Sequence, residues 1–113
     1  ILLESPGRRP CYVEVKNCTL VEDGLATFPD AVTARGLKHL HEMQRLLAEG
    51  DRCVMFYLIQ RMDARCFTPA DGIDPAYGRE LRHAAVAGVE ILVYDAALTL
   101  EGIWLNRKIP CRL

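Results

Sequence analysis

The chain has 113 residues, 26% of them charged, and a formal net charge of −1. This balance fits one small globular domain and excludes a strongly basic nucleic-acid-binding protein. No segment approaches the ~18 consecutive apolar residues of a transmembrane helix, and no signal peptide is visible, so no membrane partner is expected. The five cysteines lack Cys-x-x-Cys spacing, which indicates buried, reduced thiols of a cytoplasmic protein.

The first third of the chain predicts three antiparallel strands joined by turns. Residues 1–4 resemble the end of a strand, residues 11–21 form the second strand, and residues 25–28 form a short third strand. Pro and Gly lie between the first two strands, and Gly24 lies between the last two. Because the chain starts inside a strand, we expect a fragment or one domain of a longer protein.

The remainder predicts two helices that alternate with strands. A helix over 33–49 is capped by Asp30 or Thr33 and ends at Gly50, and a second helix begins at Asp74 and ends near residue 87. Residues 52–60 are apolar on both faces, as in a central strand covered on both sides. Residues 61–73 are predicted to be irregular, and residues 89–98 and 103–109 to be strands. The order β-β-β-α-β-α-β-β predicts an α/β fold with a mixed β-sheet flanked by helices.

The second strand carries the pattern on which a functional interpretation depends. Side chains alternate along a strand, so Glu14 and Lys16 share one face, and Val13 and Val15 are expected to be buried on the other. A carboxylate with the Val15 carbonyl can hold Mg²⁺, and an adjacent ammonium can contact the attacking water and a phosphate. The alternative is an ordinary charge pair on a solvated strand face.

A basic face is predicted at the start of the first helix. Arg35, Lys38 and His39 are three and four residues apart and lie on one side. They can contact phosphates, helped by the positive end of the helix dipole. The alternative is a solvated basic surface.

Three further residues are candidates for the surroundings of this site. Gln60 and Arg61 end the predicted central strand, where ligands often bind in α/β folds, although both can equally anchor a loop. Asp30 lies between the second strand and the first helix, where it either caps the helix or orients the residues of the site without contacting the ligand.

Two long segments closely resemble the sugar fermentation stimulation protein A family. They are residues 12–20 (YVEVKNCTL) and residues 28–40 (FPDAVTARGLKHL), of which the Pro-Asp-Ala-x-Thr-x-Arg-Gly string is the most specific part. Further matching segments are residues 60–63, 67–69, 73–75, 87–94 and 101–102. The resemblance covers essentially the whole chain.

This resemblance implies a C-terminal domain of the restriction-endonuclease-like, PD-(D/E)xK type. Glu14 and Lys16 match the Glu-x-Lys of that motif, whereas its Asp would lie immediately before Ile1. The family's N-terminal oligonucleotide-binding-fold-like domain is absent from the chain. The resemblance therefore implies a metal-dependent nuclease with Mg²⁺ or Mn²⁺ at Glu14.

DNA is the partner that follows from this interpretation. Arg35, Lys38 and Arg61 are then expected to contact backbone phosphates, and Asp30 and Gln60 to support the site. The alternative implied by the family is a non-catalytic regulator of sugar, especially maltose, utilisation that binds DNA without sequence preference. A third possibility is a stable scaffold whose interactions depend on other parts of a longer protein.

Overall fold

Two β-sheets and two α-helices make up the structure, a computed structural model that describes residues 1–113. The strands and helices, in chain order, are β1 (Leu2–Leu3), β2 (Cys11–Cys18), β3 (Leu20–Glu22), β4 (Leu25–Phe28), α1 (Ala34–Ala48), β5 (Arg52–Ile59), β6 (Cys66–Pro69), α2 (Pro75–Ala87), β7 (Glu90–Thr99) and β8 (Gly102–Lys108).

The larger sheet has five strands in the order β1-β2-β5-β7-β8. The central strands β2, β5 and β7 are parallel, whereas β1 and β8 are antiparallel to their neighbours at the two edges. Helix α1 lies in the connection between β2 and β5, and α2 in the connection between β5 and β7. The predicted α/β class, with a mixed sheet and flanking helices, is confirmed.

The predicted order of elements is wrong in two places. The expected strand over 11–21 breaks at Thr19, and its second part becomes β3 of a separate three-stranded sheet, ordered β3-β4-β6. Strand β6 lies within the segment predicted to be irregular, and it pairs in parallel with β4. Four residues are too few for a period-two pattern to stand out, and the pairing partner of β6 is about 40 residues away along the chain.

Both helices begin and end where their capping residues predict. Thr33 Oγ1 accepts a hydrogen bond of 2.9 Å from the Gly36 N–H, so Thr33 rather than Asp30 caps α1. Asp74 caps α2 by accepting from the Tyr77 N–H. Gly88 follows α2 at a φ of 120°, a conformation that glycine adopts without strain.

The hydrophobic core lies on one face of the larger sheet, beneath both helices and the small sheet. Leu40 and Met43 of α1 pack there with Met55 and Tyr57 of β5. No helix of the chain covers the opposite face, where Phe56 stacks on Tyr94 with ring centroids 5.6 Å apart. The expectation of a central strand covered on both sides therefore holds for one side only.

The orientation of β2 reverses one prediction. Its core-facing residues are Tyr12, Glu14, Lys16 and Cys18, whereas Val15 is 40% exposed on the uncovered face and Val13 is half-buried. The expectation that Val13 and Val15 are buried is wrong because α1 packs over the face that carries the charges. Neither helix is long and apolar enough to cross a membrane.

Candidate functional site

Glu14 and Lys16 extend from the middle of β2 towards α1. Lys16 Nζ lies 3.3 Å from Glu14 Oε1, and the side chains are 14% and 35% exposed respectively. The common face expected from strand periodicity is therefore present. The pair differs from a solvated surface ion pair, because most of the lysine is enclosed.

His39, in the second turn of α1, completes a three-residue cluster. Its Nδ1 atom lies 2.9 Å from Lys16 Nζ and 3.2 Å from Glu14 Oε1. Because an ammonium can only donate, the contact with Lys16 uses the Nδ1 lone pair of the tautomer whose proton is on Nε2, whereas a proton on Nδ1 is donated to Glu14 Oε1 instead. The ammonium thus lies between two acceptors. We refer to these side chains as the Glu14–Lys16–His39 cluster.

Two members of the cluster, Glu14 and His39, line a groove of about 540 Å³ between α1 and the β1–β2 edge of the sheet. Its lining combines the polar or charged residues Glu14, His39, Glu42 and Arg45 with six hydrophobic residues, among them Tyr12 and Met43. The second carboxylate oxygen of Glu14, Oε2, has no hydrogen-bond or ion-pair partner. Glu14 therefore keeps one carboxylate oxygen without a partner within the chain.

The main chain of β2 adds an acceptor beside Glu14. Ile1 and Val13 exchange two backbone hydrogen bonds of 2.7 Å across the β1 edge, whereas the Cys18 carbonyl accepts from Gln60 on the β5 side. Carbonyl directions alternate along a strand, so the Val15 carbonyl points towards the β1 edge. Because β1 pairs with β2 only as far as Val13, the Val15 carbonyl lies at an open part of the edge.

The oxygen atoms of Glu14 and Val15 can serve as part of the ligand set of a divalent cation. Mg²⁺ commonly uses one or two protein carboxylates and keeps several waters or phosphate oxygens as its other ligands. Glu14 Oε2 and the Val15 carbonyl suit that role. The chain contains no group of three or more His, Cys, Asp or Glu side chains arranged to hold a metal ion, so the site does not enclose a cation with protein ligands alone.

Two buried tyrosines form the floor beneath the cluster. Tyr57 is the register partner of Lys16 on β5, and its hydroxyl is hydrogen-bonded to that of Tyr77 on α2. Burial raises the pKa of both phenols, and the negative charge of Glu14 raises the pKa of Tyr77 further. Both hydroxyls therefore remain neutral at physiological pH, and Tyr57 has no need of Lys16 as a partner.

Two of the predicted phosphate-contacting residues lie close to the cluster along α1. Arg35 and Lys38 are exposed in the first two turns of the helix, and neither side chain makes a hydrogen bond or ion pair. His39 differs from them because it turns towards the sheet. The basic face predicted from helical spacing is thus divided into two free cations and one residue of the cluster.

The other predicted site residues make contacts away from the cluster. Arg61 pairs with Asp63, with a hydrogen bond of 3.0 Å from Nε to Oδ1. Gln60 donates a hydrogen bond of 2.8 Å to the Asn17 side chain on the uncovered face of the sheet. Asp30 is exposed and has no side-chain partner. The structure therefore brings none of these three into contact with Glu14 or Lys16.

His39 was not predicted as a direct neighbour of Glu14, although its position on α1 contains a signal. Gly36, Leu40 and Met43 are the buried residues of this helix. A residue that lies three after Gly36 and four before Met43 belongs to the edge of the same buried stripe. A polar side chain at that edge faces the neighbouring strand rather than solvent.

Known proteins resemble the chain along nearly its whole length. The family described as "Sugar fermentation stimulation protein RE domain" matches residues 1–102. The sugar fermentation stimulation protein homolog of Geobacter sulfurreducens is 56% identical over 97% of the chain, and that of Acidithiobacillus ferrooxidans is 54% identical over 97%. The chain covers 47% and 48% of those two proteins respectively, so it spans about half the length of the curated relatives it matches.

A solved structure has the same fold. It is described as Pyrococcus furiosus SfsA in complex with Ca²⁺, and it matches 99% of the chain with a TM-score of 0.91 and 27% sequence identity. The matched region is 48% of that protein.

Proposed function

The chain belongs to the sugar fermentation stimulation protein family, and we propose that it contains a divalent-metal-dependent site that binds and cleaves the phosphodiester backbone of DNA. The observation that carries the proposal is the Glu14 side chain, which lines an open groove, contacts the Lys16 ammonium through Oε1 and leaves Oε2 without a partner. The similar Pyrococcus furiosus protein, of which the chain matches 48%, is described in complex with Ca²⁺, and this supports a divalent cation in the proposal.

Each residue of the cluster has a distinct role in this proposal. Glu14, with the Val15 carbonyl, would hold Mg²⁺ or Mn²⁺, which when bound neutralises phosphate charge and acidifies a coordinated water. Lys16 donates hydrogen bonds to a nonbridging phosphate oxygen or to the attacking water. Because the ammonium is enclosed, its charge acts in a medium that screens it less than bulk water does.

DNA reaches the groove along the start of α1. Arg35 and Lys38 are free to pair with backbone phosphates on either side of the scissile bond, since no carboxylate of the chain pairs with them. The partial positive charge of the helix N-terminus favours the same anions. A local patch of this kind is compatible with a chain whose formal net charge is −1.

Plasmid cleavage tests the proposal directly. The chain is incubated with supercoiled plasmid and Mg²⁺ or Mn²⁺, alongside Glu14→Gln, Lys16→Ala and the matched surface variants Glu22→Gln and Lys108→Ala. We expect metal-dependent nicking that the two site variants lose by about a hundredfold or more and the surface variants retain. Equal cleavage by Lys16→Ala and the unmodified chain would exclude the assigned roles.

The second candidate function is DNA binding without cleavage, in which the chain binds the phosphate backbone but does not hydrolyse it. The exposed, unpaired side chains of Arg35 and Lys38 favour it. Binding would then need no metal, ignore base sequence and weaken steeply with salt. A gel-shift series with and without Mg²⁺ separates the two candidates, because only cleavage depends on the Glu14 carboxylate.

A further inference from the structure

We infer that His39 is a positioning residue, which holds the Lys16 ammonium beside Glu14 through its Nδ1 atom. The part of the inference that concerns DNA cleavage rests on the proposed function. The contact itself, 2.9 Å between His39 Nδ1 and Lys16 Nζ, is a property of the folded chain.

Lys16 needs a fixed acceptor because its side chain is long and flexible. A lysine loses much conformational entropy when it is held in one arrangement, and its ammonium is a compact charge with three rotatable donors. Only two side-chain acceptors contact Lys16 Nζ, namely Glu14 Oε1 at 3.3 Å and His39 Nδ1 at 2.9 Å. The Tyr57 hydroxyl, on the neighbouring strand, is already hydrogen-bonded to Tyr77.

The imidazole is well placed for this role because its backbone is rigid. His39 lies in α1 between the buried residues Gly36 and Met43, and its helix is fixed at the N-terminus by the Thr33 cap. An acceptor that extends from a packed helix keeps the ammonium at one position. Glu14 alone cannot do so if its carboxylate also binds a cation or substrate, since the Glu14–Lys16 contact then weakens.

Lysine labelling tests the contact without any reference to activity. The chain has only three lysines, Lys16, Lys38 and Lys108, so mass spectrometry can follow the modification of each. His39→Asn retains an oxygen acceptor near the place of Nδ1, His39→Leu has a similar size without an acceptor, and His41→Leu is a control on the same helix. The measured quantity is the labelling rate of Lys16 relative to that of exposed Lys38 in the same sample.

We expect His39→Leu to raise this ratio about tenfold, the factor that the loss of one hydrogen bond to a charged group produces. His39→Asn and His41→Leu should stay within about twofold of the unmodified chain. An unchanged ratio in His39→Leu overturns the inference. Equal increases in the Asn and Leu variants overturn it as well, because the imidazole would then act by its packing alone.

Cleavage by the same variants separates failure of this inference from failure of the proposed function. If the unmodified chain cleaves DNA, His39→Leu should lose activity in parallel with Lys16→Ala, and His39→Asn should recover part of it. Lys16-dependent cleavage that His39→Leu leaves intact overturns the positioning role in catalysis. If no variant cleaves DNA but the labelling ratios change as expected, His39 still positions Lys16 and the nuclease function is wrong.

Discussion

The Thr33 backbone N–H donates a hydrogen bond of 2.9 Å to Oδ2 of Asp74, 41 residues further along the chain. The other carboxylate oxygen of Asp74 accepts from the Tyr77 N–H at 3.1 Å. One buried carboxylate therefore joins the first turns of both helices. Through Thr33, it also fixes the start of the helix that carries His39.

Replacement of Asp74 should destabilise the fold more than the loss of an ordinary helix cap. Asp74→Ala leaves the N–H groups of Thr33 and Tyr77 without their acceptor, and we expect a loss of about 2–3 kcal/mol in the free energy of unfolding. Asp74→Asn should lose less, since it keeps an acceptor oxygen. Urea denaturation measures both. Asp63→Ala, which removes an exposed carboxylate, is the control, and an equal effect of the two alanine variants would contradict the prediction.

A second long-range carboxylate contact joins β7 to β8. Asp95 is fully buried and accepts hydrogen bonds from Arg107 N and Nε, at 2.9 and 2.8 Å. Arg107→Ala leaves this buried charge without its cation and should lower the free energy of unfolding by about 3–5 kcal/mol. The double variant Asp95→Ala/Arg107→Ala should lose less than the sum of the single changes. Arg52→Ala breaks an exposed pair with Glu90 and should lower the free energy of unfolding far less than Arg107→Ala does.

Alkaline pH should destabilise the fold through its buried thiols and phenols. Desolvation raises the pKa of Cys18 from 9.0 to about 11, and it raises the pKa of Tyr57 and Tyr77 above 10.0. The unfolded chain releases these protons at lower pH than the folded chain does. The contribution of these groups to the free energy of unfolding is therefore complete below about pH 9 and decreases as the pH rises to about 11. The urea midpoint should fall across that window.

Cys18→Ala provides the control for the alkaline transition. It should lower the urea midpoint at pH 8 and flatten the decline between about pH 9 and 10, where the thiol is the first of these groups to ionise. Tyr77→Phe should flatten the decline above about pH 10. A midpoint that stays constant from pH 8 to 11 in the unmodified chain would show that these groups are accessible to water.

The features that the sequence predicts well are those encoded over a few neighbouring residues. Thr33, Asp74 and Gly88 mark helix ends, because capping depends on side chains within one turn of the end. The common face of Glu14 and Lys16 follows from strand periodicity alone. The choice of which face of β2 is covered does not, because it depends on where the crossover helices pack.

Gly36 shows that the Thr-x-Arg-Gly pattern has both a local and a long-range explanation. A Cβ atom at this position would lie 3.1 Å from Tyr77 Cε2 on the other helix and 2.7 Å from Thr33 Cγ2. The tighter contact is local, to the Thr33 cap, whereas the contact with Tyr77 comes from the close approach of α1 and α2, which no window of neighbouring residues describes. The contact of His39 with Lys16, 23 residues away along the chain, is unpredictable for the same reason.

The salt dependence of DNA binding should identify the cations that contact phosphate. Arg35→Ala and Lys38→Ala should each weaken binding to all sequences alike, and each should reduce the slope of log affinity against log salt by about 0.9. Arg8→Ala is the matched control, because Arg8 is exposed in the turn beside Arg9, which hydrogen-bonds the C-terminal end of α1. A slope that changes equally in the Arg8 variant would mean that binding does not depend on the start of α1.

The register of β1 predicts the effect of a carboxylate placed immediately before Ile1. Leu2 pairs with Tyr12 and Leu3 with Cys11, so a residue before Ile1 would face Glu14 and share its side of the sheet. Addition of Asp at that point should supply a second carboxylate to the groove and strengthen Mn²⁺ binding about tenfold or more. Titration by electron paramagnetic resonance of free Mn²⁺ measures the change. Addition of Ser is the control for the extension, and combination of the added Asp with Glu14→Gln should abolish the gain. Equal Mn²⁺ affinity for the Asp and Ser forms would mean that the site at Glu14 is not completed from this edge of the sheet.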